Sequence, residues 1–179
     1  MFIYEYGELV VRTLELCDSS LLARWLSNTD ILRYYEGRDN PHDEQLILDK
    51  FFDDEEGEVR CIIEYISVPI GYIQFYPISV EERHEYGYSD CNDVIYGTDQ
   101  FIGESEYWGQ GIGTRLVKSM INYLLTNKNV DKIVMDPQCW NHRAIACYEK
   151  CGFARKKLLP KHEMHEGEMR DCWLMEYSK

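Results

Sequence analysis

The chain has 179 residues, 45% of them hydrophobic and 13% aromatic, which is enough to bury a core and excludes an intrinsically disordered protein. It carries 32 acidic and 19 basic residues, and the formal net charge of -13 argues against nucleic acid and anionic membranes as partners. A cationic partner fits this charge, although solubility alone also accounts for it.

Targeting and cross-linking signals are absent from the sequence. No stretch has the roughly 18 apolar residues of a membrane span, and no signal peptide is visible, so we expect a cytoplasmic protein. The seven cysteines include no CxxC pair, which favours free thiols over disulfides or a zinc site. No repeat or linker interrupts the chain, so we expect one domain over residues 1–179.

The first quarter of the chain predicts one strand followed by two helices. Alternating apolar residues predict a strand over Leu9–Leu14, and Asp18 is placed to cap a short amphipathic helix over residues 19–28. A turn-rich segment, residues 34–41, separates it from a second helix over residues 43–54.

The middle of the chain predicts a hairpin, a surface loop and a further strand. Two apolar runs, residues 58–66 and 68–78, flank a tight turn near Ser67–Pro69. Residues 81–93 are polar and irregular, which predicts a surface loop, and a strand follows over Val94–Ile102.

The second half alternates helices and strands. Four apolar residues recur at steps of four and predict a helix with one buried face: Ile112, Leu116, Met120 and Leu124. The later elements are a strand over 131–137, a helix over 141–153 closed by Gly152, and strands over 153–159 and 171–179 joined by a loop over 160–170. This mixture predicts an α/β or α+β sheet domain.

The segment "EYWGQGIGTRLV", residues 106–117, places three glycines directly before the predicted helix. Such a loop brings backbone N–H groups and a helix N-terminus close to an anion, so it fits a phosphate or pyrophosphate, although it can also be only a tight connection. Thr114-Arg115 stands where a Walker A loop has Lys-Ser or Lys-Thr. The loop also lies past mid-chain, unlike a Rossmann fingerprint.

"WGQGIGTRLV", one strand, and then "NHRAIACYEKCGF" resemble the GCN5-related N-acetyltransferase family. The resemblance implies a mixed, mostly antiparallel sheet that splays at the cofactor strand and is flanked by about four helices. It implies acetyl-CoA as cosubstrate and no metal. Trp108 departs from the Arg or Gln with which the family loop often begins. The implied cofactor-binding residues are Phe101, Ile102, Trp108, Gly109, Gln110, Gly111, Ile112, Gly113, Thr114, Asn141 and Ala144.

"GTDQFIG", "DPQCWNHRAIACYEKCGF", "DILRYYEGRDN" and "PIGYIQFY" are similar to the aminoglycoside 6'-N-acetyltransferases of resistant bacteria. The resemblance implies a polycationic acceptor, in agreement with the net charge. Asp136 also simply fits a strand end before Pro137, and solvated or sheet-surface roles remain open for Glu36, Asp39 and Gln74. The implied substrate-binding residues are Tyr35, Glu36, Asp39, Gln74, Tyr96, Asp99 and Asp136.

The resemblance also implies the two catalytic residues. Asp99 would accept a proton from the acceptor ammonium or anchor it, and Tyr148 would protonate the thiolate of coenzyme A. The structural alternatives are that Asp99 is only an acid at the end of a strand and that Tyr148 is only an aromatic residue on the buried face of a helix. His162 and His165 lack the Cys or Asp frame of a metal site, so we expect them in an exposed hairpin loop.

Three functions stay open on the sequence alone. The first is acetylation of an aminoglycoside 6'-amine by a bacterial enzyme, which we expect to be a monomer. The second is acetylation of a polyamine or a protein N-terminus. The third is a non-catalytic module that binds coenzyme A.

Overall fold

A sheet of eight strands runs through the computed structural model, which describes residues 1–53 and 57–179. The hydrogen-bonded order of the strands is β1-β2-β3-β4-β5-β6-β8-β7. β5 and β6 pair in parallel, whereas β1 with β2, β2 with β3, and β6 with β8 are antiparallel. The strands are β1 (Phe2–Tyr6), β2 (Leu9–Thr13), β3 (Val59–Tyr65), β4 (Val68–Pro77), β5 (Ile95–Ile102), β6 (Lys132–Met135), β7 (Ala154–His165) and β8 (Glu168–Ser178). The predicted mixed, mostly antiparallel sheet is confirmed.

Six α-helices occur in the described part of the chain, two more than the resemblance implied. None of them has both the length and the apolar character needed to cross a membrane. They are α1 (Ser19–Trp25), α2 (Thr29–Leu32), α3 (Glu44–Phe51), α4 (Val80–Tyr86), α5 (Ile112–Asn127) and α6 (His142–Lys150).

The chain groups into two compact units, and β4 and β5 each contribute residues to both. Unit 1 comprises Met1–Gln74, Gln100–Ile112 and His165–Glu168. Its core is aromatic and aliphatic, and includes Leu22, Trp25, Ile47, Tyr72 and Phe101. Unit 2 comprises Phe75–Asp99, Gly113–Met164 and Met169–Lys179. Its core includes Ile78, Tyr86, Ile95, Val134 and Leu174. The prediction of a single domain over residues 1–179 stays a prediction.

The predicted surface loop over residues 81–93 is wrong, because α4 occupies its first half. The Ser79 side chain accepts a hydrogen bond from the Glu82 backbone N–H, and the Glu82 side chain accepts one from the Ser79 backbone N–H. Gly87 then ends the helix in a left-handed conformation with φ 88°. These two caps allow a mostly polar seven-residue segment to form a helix.

The predicted loop over residues 160–170 is also wrong. β7 and β8 extend through it, and only Glu166 and Gly167, with φ of 51° and 77°, form the turn between them. β7 is an edge strand that is exposed along most of its length, so its sequence lacks the alternation of a half-buried strand. His162 and His165 therefore lie in a strand rather than in a loop, and His165 is buried.

The remaining predicted elements are present with shifted ends. α5 buries all four residues that recur at steps of four, and Gly152 follows α6 with φ 99°. α3 ends at Phe51, before Asp54, the last residue of the predicted helix, which lies outside the described residues. The β3–β4 turn lies at Ile66–Ser67, not beyond. β1 and α2 were not predicted.

Asp18 precedes α1 as predicted, but its carboxylate does not cap that helix. It accepts hydrogen bonds from Arg12 Nη1 and Nη2 at 2.7 and 2.8 Å and from the Glu15 backbone N–H at 2.9 Å. A bidentate pair with a guanidinium is stronger than a single cap hydrogen bond, so the ion pair takes the carboxylate.

Candidate active site

The Gly-rich loop has a backbone conformation that only glycine adopts without strain. Gly109 and Gly111 have φ of 74° and 77°, in the left-handed region that side chains disfavour. A Cβ at either position would meet no atom within 4 Å, so open space borders the loop. α5 begins directly afterwards at Ile112, and the first N–H groups of a helix carry a partial positive charge. The loop therefore fits an anionic group such as a pyrophosphate.

Two side chains of the loop brace it from within. Trp108 Nε1 donates a hydrogen bond to the Ile102 carbonyl at 2.9 Å, and its ring meets Tyr34 edge-on at 6.1 Å. Gln110 Nε2 donates to the Glu106 carbonyl at 2.6 Å. These contacts fix the loop relative to β5, so Trp108 acts here as a structural brace.

The end of β5 packs closely against β4 in unit 1. Phe101 is buried in the core, where its ring lies 4.8 Å from Tyr35 and 5.7 Å from Tyr72. A Cβ at Gly71 would lie 2.3 Å from the Phe101 carbonyl oxygen, so only glycine permits this approach. Because the Phe101 side chain is used in the core, its backbone is what remains for a ligand.

β5 and β6 stay paired over only a few residues. Their register runs from Ile95 with Lys132 to Gly97 with Val134. β6 then ends at Met135, whereas β5 continues to Ile102. This early end of the pairing corresponds to the splay that the resemblance implied.

The second half of α6 faces the first turn of α5 in unit 2. Asn141 Oδ1 caps α6 by accepting a hydrogen bond from the Ala144 N–H at 3.2 Å. The Cys147 sulfur lies 3.6 Å from Thr114 Oγ1. Tyr148 is half-buried, with its ring 6.1 Å from that of Phe153, and it lies two helical turns after Asn141 on the same face.

Asp99 is held by a half-buried tyrosine of the neighbouring strand β4. Tyr76 Oη donates a hydrogen bond to Asp99 Oδ2 at 3.2 Å. Burial, and then the negative charge of Asp99, raise the pKa of Tyr76 well above its usual range, so the phenol stays protonated as a donor. A Cβ at Gly97 would lie 2.6 Å from the Tyr76 ring, so the missing side chain makes room for it.

Asp136 follows β6 and accepts two hydrogen bonds through the same oxygen. Tyr86 Oη donates to Asp136 Oδ2 at 2.9 Å, and His162 Nε2 lies 2.8 Å from that atom. The other ring nitrogen of His162, Nδ1, lies 2.7 Å from Glu85 Oε1. The hydrogen bond to Asp136, against the opposing effect of burial, raises the pKa of His162 to about 9.

Three of the other expected substrate residues belong to unit 1. In unit 1, Tyr35 packs on the core, and Gln74 Oε1 accepts a hydrogen bond from Tyr72 at 2.6 Å. Glu36 Oε2 lies 3.1 Å from Asn40 Nδ2 and 3.4 Å from Lys50 Nζ.

The positions of the last two expected substrate residues, Asp39 and Tyr96, do not by themselves indicate a function. Asp39 is exposed, and its neighbour Arg38 pairs with Glu166 at 2.5 and 2.7 Å. In unit 2, Tyr96 is half-buried on β5. It is three residues from Asp99, so regular pleating points the two side chains to opposite faces of the strand.

The sequence interpretation missed Tyr76, Tyr86, Glu85 and His162. The capping box at Ser79 and Gly87 at the other end predict α4, and with it the position of Tyr86. No local signal predicts that Tyr86 meets Asp136, because 50 residues separate them. Within residues 1–53 and 57–179, no group of three or more His, Cys, Asp or Glu residues is arranged to hold a metal ion.

Known proteins similar to this chain are acetyltransferases. The model of the acetyltransferase (GNAT) domain family matches residues 16–160. Aminoglycoside N(6')-acetyltransferase type 1 of Klebsiella pneumoniae is 28% identical over 143 residues, 78% of this chain and 70% of that protein. Spermidine N(1)-acetyltransferase of Escherichia coli K12 is 25% identical over 166 residues, 90% of this chain and 81% of that protein.

A solved structure agrees with these relatives. Aminoglycoside acetyltransferase AAC(6')-Ib in complex with coenzyme A matches with a TM-score of 0.72 at 26% identity, over 96% of this chain and 95% of that chain. Both the family match and the fold bear out the resemblance stated from the glycine loop and the helix at Asn141. The chain belongs to the GNAT family of acetyltransferases.

Proposed function

We propose that this acetyltransferase transfers the acetyl group of acetyl-CoA to the 6'-amine of an aminoglycoside. The observation that carries the proposal is the pair of carboxylates in unit 2, Asp99 and Asp136, each of which accepts a hydrogen bond from its own tyrosine. Fixed carboxylates suit an acceptor with several ammonium groups. The aminoglycoside acetyltransferase relatives and the net charge of -13 support the same acceptor class.

The cosubstrate would bind along the loop and helix that the family motif covers. Gly109 and Gly111 give the backbone the conformation and the space to approach a pyrophosphate, and the first N–H groups of α5 add positive potential. The backbone of Phe101 and Ile102 would contact the pantetheine arm, and Asn141 and Ala144 at the start of α6 would contact the cosubstrate. The bound cosubstrate supplies the activated acetyl thioester.

Asp99 and Tyr148 would handle the two protons of the reaction. Asp99 accepts a proton from the 6'-ammonium, directly or through one water, and the free amine attacks the thioester carbonyl carbon. A C–N bond forms and the C–S bond breaks. Tyr148 donates its phenolic proton to the leaving thiolate and regains one from the attacking nitrogen, which loses its second proton as the amide forms.

A polyamine is the second candidate acceptor, because a spermidine N(1)-acetyltransferase is also similar to this chain. The acidic pair suits a linear polycation as well. In either case we expect a monomer in the bacterial cytoplasm, and sedimentation velocity would test the oligomeric state.

Release of free thiol from acetyl-CoA, followed with a thiol reagent, distinguishes these acceptors. The assay compares kanamycin, an analogue with a 6'-hydroxyl in place of the amine, and spermidine. We expect turnover with kanamycin only. Turnover with spermidine alone would instead make this a polyamine enzyme, and equal turnover with the 6'-hydroxyl analogue would assign the acetylation to another position.

A further inference from the structure

His162 holds a place in unit 2 that an ammonium group of a substrate would fit. Its two ring nitrogens lie 2.7 Å from Glu85 Oε1 and 2.8 Å from Asp136 Oδ2, which are lengths of charge-assisted hydrogen bonds. The imidazole ring thus spans two carboxylates that come from different elements, α4 and the end of β6. Its side chain is only 16% exposed, whereas that of Asp136 is 32% exposed. The carboxylate is therefore more accessible to a ligand than the imidazole is.

The surroundings of His162 keep it charged. The hydrogen bond to Asp136 is the largest cause of its raised pKa, burial opposes it, and Glu85 adds to it. Because this pKa of about 9 lies above neutral pH, the imidazolium form is fully populated at pH 7 and is lost as the pH rises through 9. The titratable and charged groups around the His162–Asp136–Glu85 cluster are Tyr76 on β4, Glu82 and Tyr86 on α4, Asp99 on β5, Lys157 and Glu163 on β7, and Cys172 on β8.

We propose that His162 is an internal cation of the acceptor site, which takes the position between Glu85 and Asp136 that a second ammonium group of the acceptor would otherwise fill. The proposal rests on the proposed function, in which Asp136 binds an acceptor ammonium. Oδ2 of Asp136 already accepts from Tyr86 and His162, so an incoming ammonium must use Oδ1. Bound there, it lies close to the imidazolium and is repelled by it.

A reciprocal effect follows from this repulsion. If protonation of His162 weakens binding of a cation at Asp136, binding of that cation must raise the acid dissociation constant of His162 by the same factor and so lower its pKa. We expect a coupling of about fivefold, the lower end of typical couplings between sites. His162 thereby limits how strongly the enzyme retains highly charged acceptors at neutral pH.

Nuclear magnetic resonance of the full chain labelled at its histidines tests the coupling directly. The His162 signal is identified as the one that is lost in His162→Gln. Kanamycin at saturation is expected to lower the His162 pKa by about 0.7 pH units, which is the fivefold coupling on a logarithmic scale. Asp136→Asn is expected to lower that pKa in the absence of any ligand. A pKa that neither kanamycin nor spermidine moves would overturn the proposal.

Steady-state kinetics tests the same coupling from the side of the acceptor. At pH 7, His162→Gln is expected to lower the KM for kanamycin by about fivefold, and this difference from the wild type should vanish near pH 10, where the wild-type imidazole is neutral. His84→Gln removes an exposed histidine of α4 and serves as the matched control, with no change expected. A purely structural role for His162 would instead raise the KM in the variant at every pH.

Failure of the proposed function and failure of the internal cation give different results in these experiments. If kanamycin and spermidine both release no thiol, the proposed function is wrong, yet the resonance titration still reports whether a bound cation and His162 compete. If thiol is released but the His162 pKa stays fixed, the proposed function stands and the internal cation does not.

Discussion

Tyr76 and Asp99 form a donor–acceptor pair in which the tyrosine orients the acid. The structure gives Asp99 this fixed geometry through a half-buried phenol that is kept protonated. A carboxylate that is oriented before the acceptor binds loses less conformational freedom on binding. Removing the charge of Asp99 is therefore expected to slow the chemical step as well as to weaken binding of the acceptor.

Asp99→Asn is expected to lower kcat/KM for the acceptor by about 10²- to 10⁴-fold, because the amide cannot accept the ammonium proton. The thiol-release assay measures this at pH values on both sides of neutrality. Asp90→Asn, which removes an exposed acid between α4 and β5, is the matched control and should behave like the wild type. Full turnover of Asp99→Asn under conditions where chemistry limits the rate would exclude Asp99 as the base.

Tyr148→Phe is expected to lower kcat by roughly 10²-fold, since the thiolate would then leave without a positioned acid. The affinity for acetyl-CoA, measured by isothermal titration calorimetry, should stay within about twofold, because the ring that packs near Phe153 is retained. Tyr6→Phe removes a hydroxyl from the exposed face of β1 and controls for the substitution itself. An unchanged kcat would leave the thiolate to depart without help from Tyr148.

At the scale of elements, the Gly-rich loop makes different demands on glycines that look equivalent in the sequence. Gly111→Ala is expected to lower the free energy of unfolding by about 1 kcal/mol, because its φ of 77° is left-handed. Gly113→Ala is the control, and we expect it to raise the free energy of unfolding instead. It lies inside α5, its added Cβ would be 3.8 Å from the Cys147 sulfur, and alanine favours helix. Urea unfolding measures the free energy of unfolding of both variants. Equal changes in Gly111→Ala and Gly113→Ala would mean that the glycines of the loop are equivalent.

A helix or strand was predictable from the sequence where one of its faces is buried or where its capping residues lie next to it in the chain. α5 shows its apolar residues at steps of four, and the structure buries them. The residues that predict α4 lie at its ends, Ser79 and Gly87, whereas its mostly polar interior resembles a surface loop. β7 gives little signal, since an edge strand that is mostly exposed does not need to alternate.

At the scale of the whole molecule, the net charge of -13 predicts opposite salt effects on the two substrates. Raising potassium chloride from about 50 to about 500 mM shortens the screening length severalfold. The KM for kanamycin should rise, because the attraction of a polycation to an acidic protein is screened. The KM for the anionic acetyl-CoA should stay level or fall. Parallel rises for both substrates would mean that salt perturbs the protein and not the long-range attraction.

The candidate site was only partly predictable, for a reason that applies to the whole chain. The cofactor loop and the start of α6 lie within continuous motifs, and their assignment stays a prediction that the family membership supports. The partners of the two acids come from distant positions: Tyr76 is 23 residues from Asp99, and Tyr86 is 50 residues from Asp136. Such pairs depend on strand order and helix placement, which a single sequence does not display.

The fit of Tyr76 over Gly97 has a consequence for how this protein can evolve. The ring fills the volume that a Cβ at residue 97 would need, so the two positions cannot change independently. Any side chain at 97 requires either a displaced ring or a smaller residue at 76, and both changes disturb the hydroxyl that holds Asp99. A lineage that acquires a side chain at residue 97 therefore passes through an intermediate with a less ordered base.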